Sequence, residues 1–133
     1  MKHILIAYDG SDSARRAFDQ AVDLAKRYAA QLTVLAVSRP PEFGSEVETE
    51  AVMENSLQHY RDLLEPLKAL APEARFEVAI GHPAVKITTY AEANAVDLIV
   101  LGHRGETLFE RWLIGSVAKK VMSYAPCSVL VVR

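Results

Sequence analysis

Several features that would place this chain outside the cytoplasm are missing from its sequence. Its one cysteine, Cys127, cannot form a disulfide within the chain, and its position between Pro126 and an apolar run predicts a buried, unreactive thiol. No run approaches the roughly 18 consecutive apolar residues that span a membrane. The amino-terminal apolar run, Ile4–Ala7, is too short for a signal peptide. We therefore expect a soluble, cytoplasmic protein without a redox function.

An excess of positive charge and metal-binding clusters are missing as well. The chain has 15 basic and 17 acidic residues, so it lacks the broad positive surface with which proteins bind nucleic acids. Its four histidines are scattered, and no two have the spacing of metal ligands on a helix. We expect neither a nucleic-acid partner nor a transition-metal site.

The apolar residues that are present fall into alternating strand and helix patterns. Five short runs rich in valine, isoleucine and leucine predict β-strands at Ile4–Tyr8, Leu32–Val37, Phe76–Ile80, Asp97–Leu101 and Ser128–Val132. Apolar residues at three- and four-residue steps predict helices after the first, second and fourth strands. Their apolar faces are Ala14, Ala17, Phe18, Ala21, Val22, Ala25 and Tyr28; Met53, Leu57, Tyr60, Leu64, Leu67 and Ala71; and Val117, Ala118, Val121 and Met122.

Two further signals mark where the helices begin. Ser11, Asp12 or Ser13 can cap the first helix, and Pro83 suits the first turn of another helix between the third and fourth strands. Strands joined by helices run parallel, which predicts a single doubly wound α/β domain over residues 1–133. The segment Ser38–Gly44 has no period and is expected to be a mobile loop.

The third and last strands differ in their side-chain pattern. Apolar and other residues alternate in Phe76–Ile80, as expected at a sheet edge, whereas Ser128–Val132 is apolar almost throughout. If Ser128–Val132 also lies at an edge, a second copy of the chain is needed to cover it, and we expect a homodimer through this strand. A strand buried inside the sheet explains the same residues equally well.

Ligands of open parallel sheets bind beyond the carboxyl ends of the strands, and two turns there are distinctive. Asp9 ends the first strand and precedes three small polar residues that can equally serve as helix caps. Gly102 and Gly105 follow the fourth strand, and Gly115 and Ser116 open the last helix, where free amides attract phosphate and Ser116 can act as the cap. The P-loop and Gly-x-Gly-x-x-Gly motifs are absent, so a phosphate must be held by another loop.

The spacing Gly102-x-x-Gly105, nine residues, then Gly115-Ser116 resembles the ATP-binding signature of the universal stress protein family. The resemblance extends to Asp9, to the closing segment 125–132 and to the order of elements along the whole chain. It implies a Rossmann-like sheet in the order 3-2-1-4-5, ATP as the ligand and a stress-response function. The contacts it implies are Asp9 and Val37 on the adenine and ribose side, and Gly102, Gly105, Gly115 and Ser116 around the ribose and phosphates. Ala7 and Val117 are secondary candidates, and the family often has proline in place of Ala7. Magnesium is a candidate companion of ATP, since Asp9 could help to hold a metal ion.

Three functions are compatible with these residues. We expect a nucleotide-dependent switch in which ATP orders the Ser38–Gly44 loop and the segment between Gly105 and Gly115, and so changes the surface offered to an unidentified protein partner. A slow ATPase and a purely structural dimer without nucleotide are the alternatives. The apolar residues Leu108, Phe109, Trp112, Leu113 and Ile114 are expected to form a packed turn, with a lid over the nucleotide and a dimer contact as the alternatives. Lys119 is expected to be a solvated surface residue outside the site.

Overall fold

The computed structural model describes residues 1–39, 46–105 and 113–133, which form five strands and four helices. These follow in the order β1 (His3–Ala7), α1 (Asp12–Tyr28), β2 (Gln31–Ser38), α2 (Glu46–Leu70), β3 (Arg75–Ile80), α3 (Pro83–Ala93), β4 (Leu98–Gly102), α4 (Ser116–Tyr124) and β5 (Ser128–Val132). The expected Ser38–Gly44 loop falls mostly outside the described residues, as do Leu108, Phe109 and Trp112. None of the helices in the described ranges is long and apolar enough to cross a membrane.

The strands form one parallel sheet in the order β3-β2-β1-β4-β5, which confirms the predicted α/β architecture. β1 pairs with β2 on one side and with β4 on the other, Ile6 being aligned with Val34 and with Val100. β3 lies at one edge, as its alternating side chains predict. β5 lies at the other edge, so the alternative of a strand buried inside the sheet is wrong.

Each face of the sheet is covered by two helices. Alternate residues of the central strands point to opposite faces, so Ile4 and Ile6 pack with α1 and α2, whereas Leu5 packs with α3 and α4. All three side chains are completely buried. This two-sided burial explains why the central strands are apolar at nearly every position.

The helix boundaries follow from capping, and two predicted apolar positions prove to be exposed. Ser11 is the N-cap of α1, where its hydroxyl accepts a hydrogen bond from the Ala14 amide at 3.2 Å. Tyr28 and Met122 were expected on the apolar faces of α1 and α4, but both are about half exposed because each lies in the last turn of its helix, beyond the core. α2 continues through Pro66.

A single carboxylate joins the beginnings of the two central strands. One oxygen of Asp97, just before β4, accepts hydrogen bonds from the backbone amides of Lys2 at 2.6 Å and His3 at 2.8 Å. These two bonds lower the pKa of Asp97 below its usual value of 3.8, since they stabilise the ionised form.

The lowered pKa of Asp97 predicts a loss of stability in acid. The contribution is fully present above pH 3.8 and is lost as the pH falls through the lower pKa of the folded state. We expect an Asp97→Asn variant to be less stable than the parent at pH 7 and to lose less stability on acidification, as measured by urea unfolding at several pH values. An equal acid loss in both proteins would contradict this role of Asp97.

Candidate functional site

The topology opens a crevice between the carboxyl ends of β1 and β4. The chain leaves β1 toward α1 on one face of the sheet and leaves β4 toward α4 on the other face, so the described residues leave a space between the two turns. The resulting cleft has a volume of about 690 Å³. That is within the range of small-molecule sites.

The structure brings all of the predicted site residues together around this cleft. They come from the ends of β1, β2 and β4, from the turn after β4 and from the start of α4: Ala7, Asp9, Val37, Gly102, Gly105, Gly115, Ser116 and Val117. Residues more than a hundred positions apart in the sequence thus line one concave surface. Their roles in binding stay predictions.

Asp9 is fixed in place by the turn that follows β1. Its Oδ1 atom accepts hydrogen bonds from the Ser11 amide at 2.9 Å and the Ser11 hydroxyl at 2.6 Å. Gly10 has a φ of 85°, a left-handed conformation that glycine adopts readily and that allows this tight turn. The other carboxylate oxygen lies beside Gly105, 3.3 Å from where a Cβ atom of that residue would be.

Two of the glycines are packed closely against other parts of the chain, Gly102 more tightly than Gly115. A Cβ atom on Gly102 would overlap the Ser13 hydroxyl and would lie 2.7 Å from the Ala14 nitrogen, because the first turn of α1 presses against the end of β4. A Cβ atom on Gly115 would lie 3.1 Å from the Arg104 Cα atom. The glycine spacing therefore holds the turn after β4 between the starts of α1 and α4.

The expectation that Ser116 caps α4 is wrong. The N-cap is Gly115, and Ser116 is the first residue of the helix because the backbone of Gly115 is still extended. Among the described residues no side chain caps this helix, and its first backbone bond within the helix runs from the Lys119 amide to the Gly115 carbonyl. The amides of Ser116, Val117 and Ala118 precede that bond, and the amino terminus of the helix dipole lies with them at the cleft.

Several residues that line the cleft were not among the predicted site residues. Lys119, which was expected outside the site, lines it, and so do Arg39, Arg104, Ser56 and Tyr60. No sequence pattern marks the α2 residues as site residues, because Tyr60 belongs to an apolar stripe that equally predicts ordinary core packing. Lys119 lies one helical turn after Ser116, and this spacing is the sequence feature that could have placed it at the cleft.

Charge in the cleft is mostly positive. Among the described lining residues, Arg39, Arg104 and Lys119 carry positive charge and Asp9 is the one carboxylate. The Nη1 atom of Arg104 is buried without a hydrogen-bond partner in the part of the chain that the structure describes. A buried, unpaired guanidinium nitrogen is costly unless an acceptor approaches it, which favours an anionic ligand.

Burial shifts the pKa values of two side chains, one at each end of the sheet. It raises the pKa of the Tyr8 hydroxyl beside the cleft, an effect that the nearby Arg15 partly opposes. It also raises the pKa of Cys127, at the amino end of β5, which is half-buried and not fully buried as the sequence predicts. No group of three or more metal-binding side chains occurs among the described residues.

The arrangement can now be compared with known proteins. The family model for universal stress proteins matches residues 1–133. This chain belongs to the universal stress protein family. The universal stress protein YxiE of Bacillus subtilis is 34% identical over 145 residues, with 98% of this chain and 97% of YxiE covered. The solved structure of the universal stress protein UspA from Lactobacillus plantarum is 31% identical and superposes with a TM-score of 0.91, covering 99% of this chain and 97% of UspA.

Two more distant solved structures contain nucleotides. One is a universal stress protein in complex with cAMP, which is 23% identical, has a TM-score of 0.68 and covers 99% of this chain and 97% of its own. The other is a universal stress protein from Archaeoglobus fulgidus in complex with dAMP, which is 20% identical, has a TM-score of 0.63 and covers all of this chain and 98% of its own. At these identities both show that the fold is shared.

The contacts around Gly102 and Gly105 predict that replacing each by alanine lowers the free energy of unfolding by a different amount. Gly102→Ala places a methyl group against the backbone of α1 and is expected to lower the free energy of unfolding by about 3 kcal/mol, the upper end of overpacking penalties. Among the described residues, a methyl group at Gly105 would meet the Asp9 Oδ2 atom and no backbone atom, so we expect Gly105→Ala to cost less, below about 1 kcal/mol. Urea unfolding of both variants tests this order, and equal losses would contradict it.

Proposed function

We propose that the cleft binds an adenine nucleotide, ATP in the first place, and that the protein acts as a nucleotide-dependent regulatory module in the stress response. The observation that carries this proposal is the convergence of the glycine-lined turn, the uncapped start of α4 and Asp9 on one cleft of suitable volume. The sequence spacing and the geometry are separate observations, and both favour the same type of ligand.

The lining of the cleft offers both kinds of surface that a nucleotide needs. Ala7, Leu35 and Val37 line it and offer apolar surface to a flat base. The start of α4 also lines it, and there the backbone amides and the helix dipole suit a phosphate. Arg104 and Lys119 add positive charge to this surface.

A magnesium ion fits this site as a companion of the phosphates. Magnesium is usually held by one or two carboxylates together with phosphate oxygens. Asp9 can supply one such ligand, since its Oδ1 atom is engaged by Ser11 while the other oxygen lies beside Gly105. When bound, the ion would offset the negative charge of the phosphates.

A regulatory role is favoured over efficient hydrolysis. Phosphoryl transfer requires a group that orients the attacking water, in addition to the ligands of the metal ion. Asp9 is the one carboxylate among the described lining residues, and it cannot fill both roles at once. We therefore expect binding and slow turnover at most.

Related structures support the choice of ligand. Two proteins with this fold were solved as complexes with cAMP and dAMP. Both ligands are adenine nucleotides with one phosphate group. Lys119 and Arg39 extend the positive charge of the cleft in this chain, which favours a ligand with more phosphate groups.

Calorimetric titration with ATP and magnesium tests the proposal, and two adjacent lysines provide a matched pair of variants. Lys119 lines the cleft and Lys120 does not, although both are exposed on α4. We expect the parent to bind ATP and Lys119→Ala to bind it about two- to fivefold more weakly, as for loss of one exposed charge contact. Lys120→Ala should bind like the parent.

Either of two results would count against this function. No heat of binding from a folded, nucleotide-stripped parent protein would exclude ATP as the ligand. Equal weakening by both lysine variants would mean that general charge, and not the cleft, attracts the nucleotide. Phosphate release well above background during the titration would instead favour the ATPase.

We also propose that the chain forms a homodimer through β5. β5 is paired with β4 alone, and its central residues Val129, Leu130 and Val131 are only partly buried within the chain. An apolar strand with an open backbone edge is an association surface unless it is covered. Sedimentation equilibrium should give twice the chain mass of 14.7 kDa, and a monomer at all concentrations would contradict the dimer.

A further inference from the structure

Among the described residues, the turn after β4 is held by hydrogen bonds from three different parts of the fold. The His103 amide donates to the Val132 carbonyl in β5 at 2.7 Å, and the His103 carbonyl accepts from the Gly115 amide at 2.6 Å, just before α4. The third bond runs from the Ser13 hydroxyl in α1 to the Arg104 carbonyl at 2.8 Å. The position of the turn thus depends on β5, α4 and α1 together.

Ser13 supplies the one side chain among these three bonds. Its hydroxyl is the donor, since a carbonyl oxygen only accepts. Ser11 cannot replace Ser13 in this role, because its hydroxyl donates its hydrogen bond to the Asp9 carboxylate at 2.6 Å and lies 3.4 Å from the Arg104 carbonyl. Ser13 is 3% exposed and does not line the cleft, so it has no contact of its own with a ligand there.

Packing around Ser13 also leaves the turn after β4 little freedom to move toward α1. Gly102 has no room for a Cβ atom because the Ser13 hydroxyl and the α1 backbone lie against it. On the far side of the turn, the Arg104 Cα atom lies close to Gly115. Contact with Ser13 at Gly102 and the hydrogen bond at Arg104 together fix the distance between the β1 turn, with Asp9, and the start of α4.

We propose that Ser13 is a positioning residue for the phosphate end of the cleft. By holding the Arg104 carbonyl, it keeps Gly105, Gly115 and the first amides of α4 at a fixed distance from Asp9. This inference rests on the proposed nucleotide function, since it states which buried hydroxyl sets the geometry of that site. It assigns to the first turn of α1 a role beyond capping the helix.

The Ser13→Ala variant removes this bond without adding bulk. We expect ATP affinity to fall about three- to tenfold, the effect of losing one ordinary hydrogen bond. Adenosine has no phosphate to contact the turn, so its affinity should change less than about twofold. The ratio of the two affinities is the decisive readout, because a general loosening of the fold weakens both ligands alike.

Thr33→Val is the matched control for lost stability. Thr33 is completely buried on β2, and its hydroxyl lies 2.8 Å from the His3 Nε2 atom, at the end of the sheet opposite the cleft. This variant also loses one buried hydrogen bond, so its thermal unfolding temperature should fall. Its affinities for ATP and adenosine should match those of the parent.

Amide hydrogen exchange of the ligand-free protein tests the same bond independently of any nucleotide. In Ser13→Ala, exchange should become faster in peptides that contain residues 102–105 and 113–116 and stay unchanged near Thr33. Thr33→Val should show the opposite distribution. This comparison needs no bound ligand, so it separates a failure of the positioning role from a failure of the nucleotide function.

The titrations are performed on the parent first, then on the two variants, each checked for thermal unfolding. A selective loss of ATP affinity in Ser13→Ala, with faster exchange in the turn, would support the positioning role. Unchanged ATP affinity, or an equal loss of adenosine affinity, would overturn it even if the parent binds ATP well. A parent that binds no ATP would overturn both the proposed function and this inference.

Discussion

The pairing of β1 with β4 at the centre of the sheet is the constraint on which the rest of the structure depends. These two strands are nearly a hundred residues apart in the sequence, and their parallel alignment brings Asp9 and Gly102 to the carboxyl end of the sheet. Because the chain leaves the two strands toward opposite faces, the residues that the structure describes leave a space between their turns. The cleft is therefore a consequence of strand order, and side chains only refine its chemistry.

The close approach of α1 to β4 is the second condition for the site. It requires the absence of a side chain at Gly102 and places the Ser13 hydroxyl at the Arg104 carbonyl. On its other side, the turn after β4 packs against Gly115 through Arg104. Two of the signature glycines are thus explained by packing of the chain on itself. A glycine pattern that resembles a ligand motif can in this way be a condition of folding as well as of binding.

Much of the fold could be predicted from the sequence because it depends on local patterns. The apolar runs marked the five strands to within one or two residues, and Ser11 was among the expected caps of α1. The strand order came from the resemblance to universal stress proteins, since the alternation of strands and helices alone does not specify it. The position of β5 stayed open, because an apolar run is equally typical of a buried strand and of an interface.

The site was harder to predict where it depends on tertiary contacts. Tyr60 and Ser56 line the cleft from α2, yet the sequence pattern of this helix is that of an ordinary amphipathic helix. Ser116 looked like a cap, and the structure shows that the extended backbone of Gly115 takes that place. The bond between Ser13 and Arg104 joins residues 91 positions apart, and no local pattern predicts it.

Backbone amide NMR of the isotope-labelled protein, titrated with ATP and magnesium, tests directly whether a nucleotide binds between β1 and β4. If it does, the largest shift changes will fall on Asp9, Gly105, Gly115 and Ser116, beyond the carboxyl ends of these two strands. His3 and Thr33, at the other end of the sheet, should be unaffected. Shift changes confined to another surface, or none at saturating ATP, would contradict a nucleotide site between these two strands.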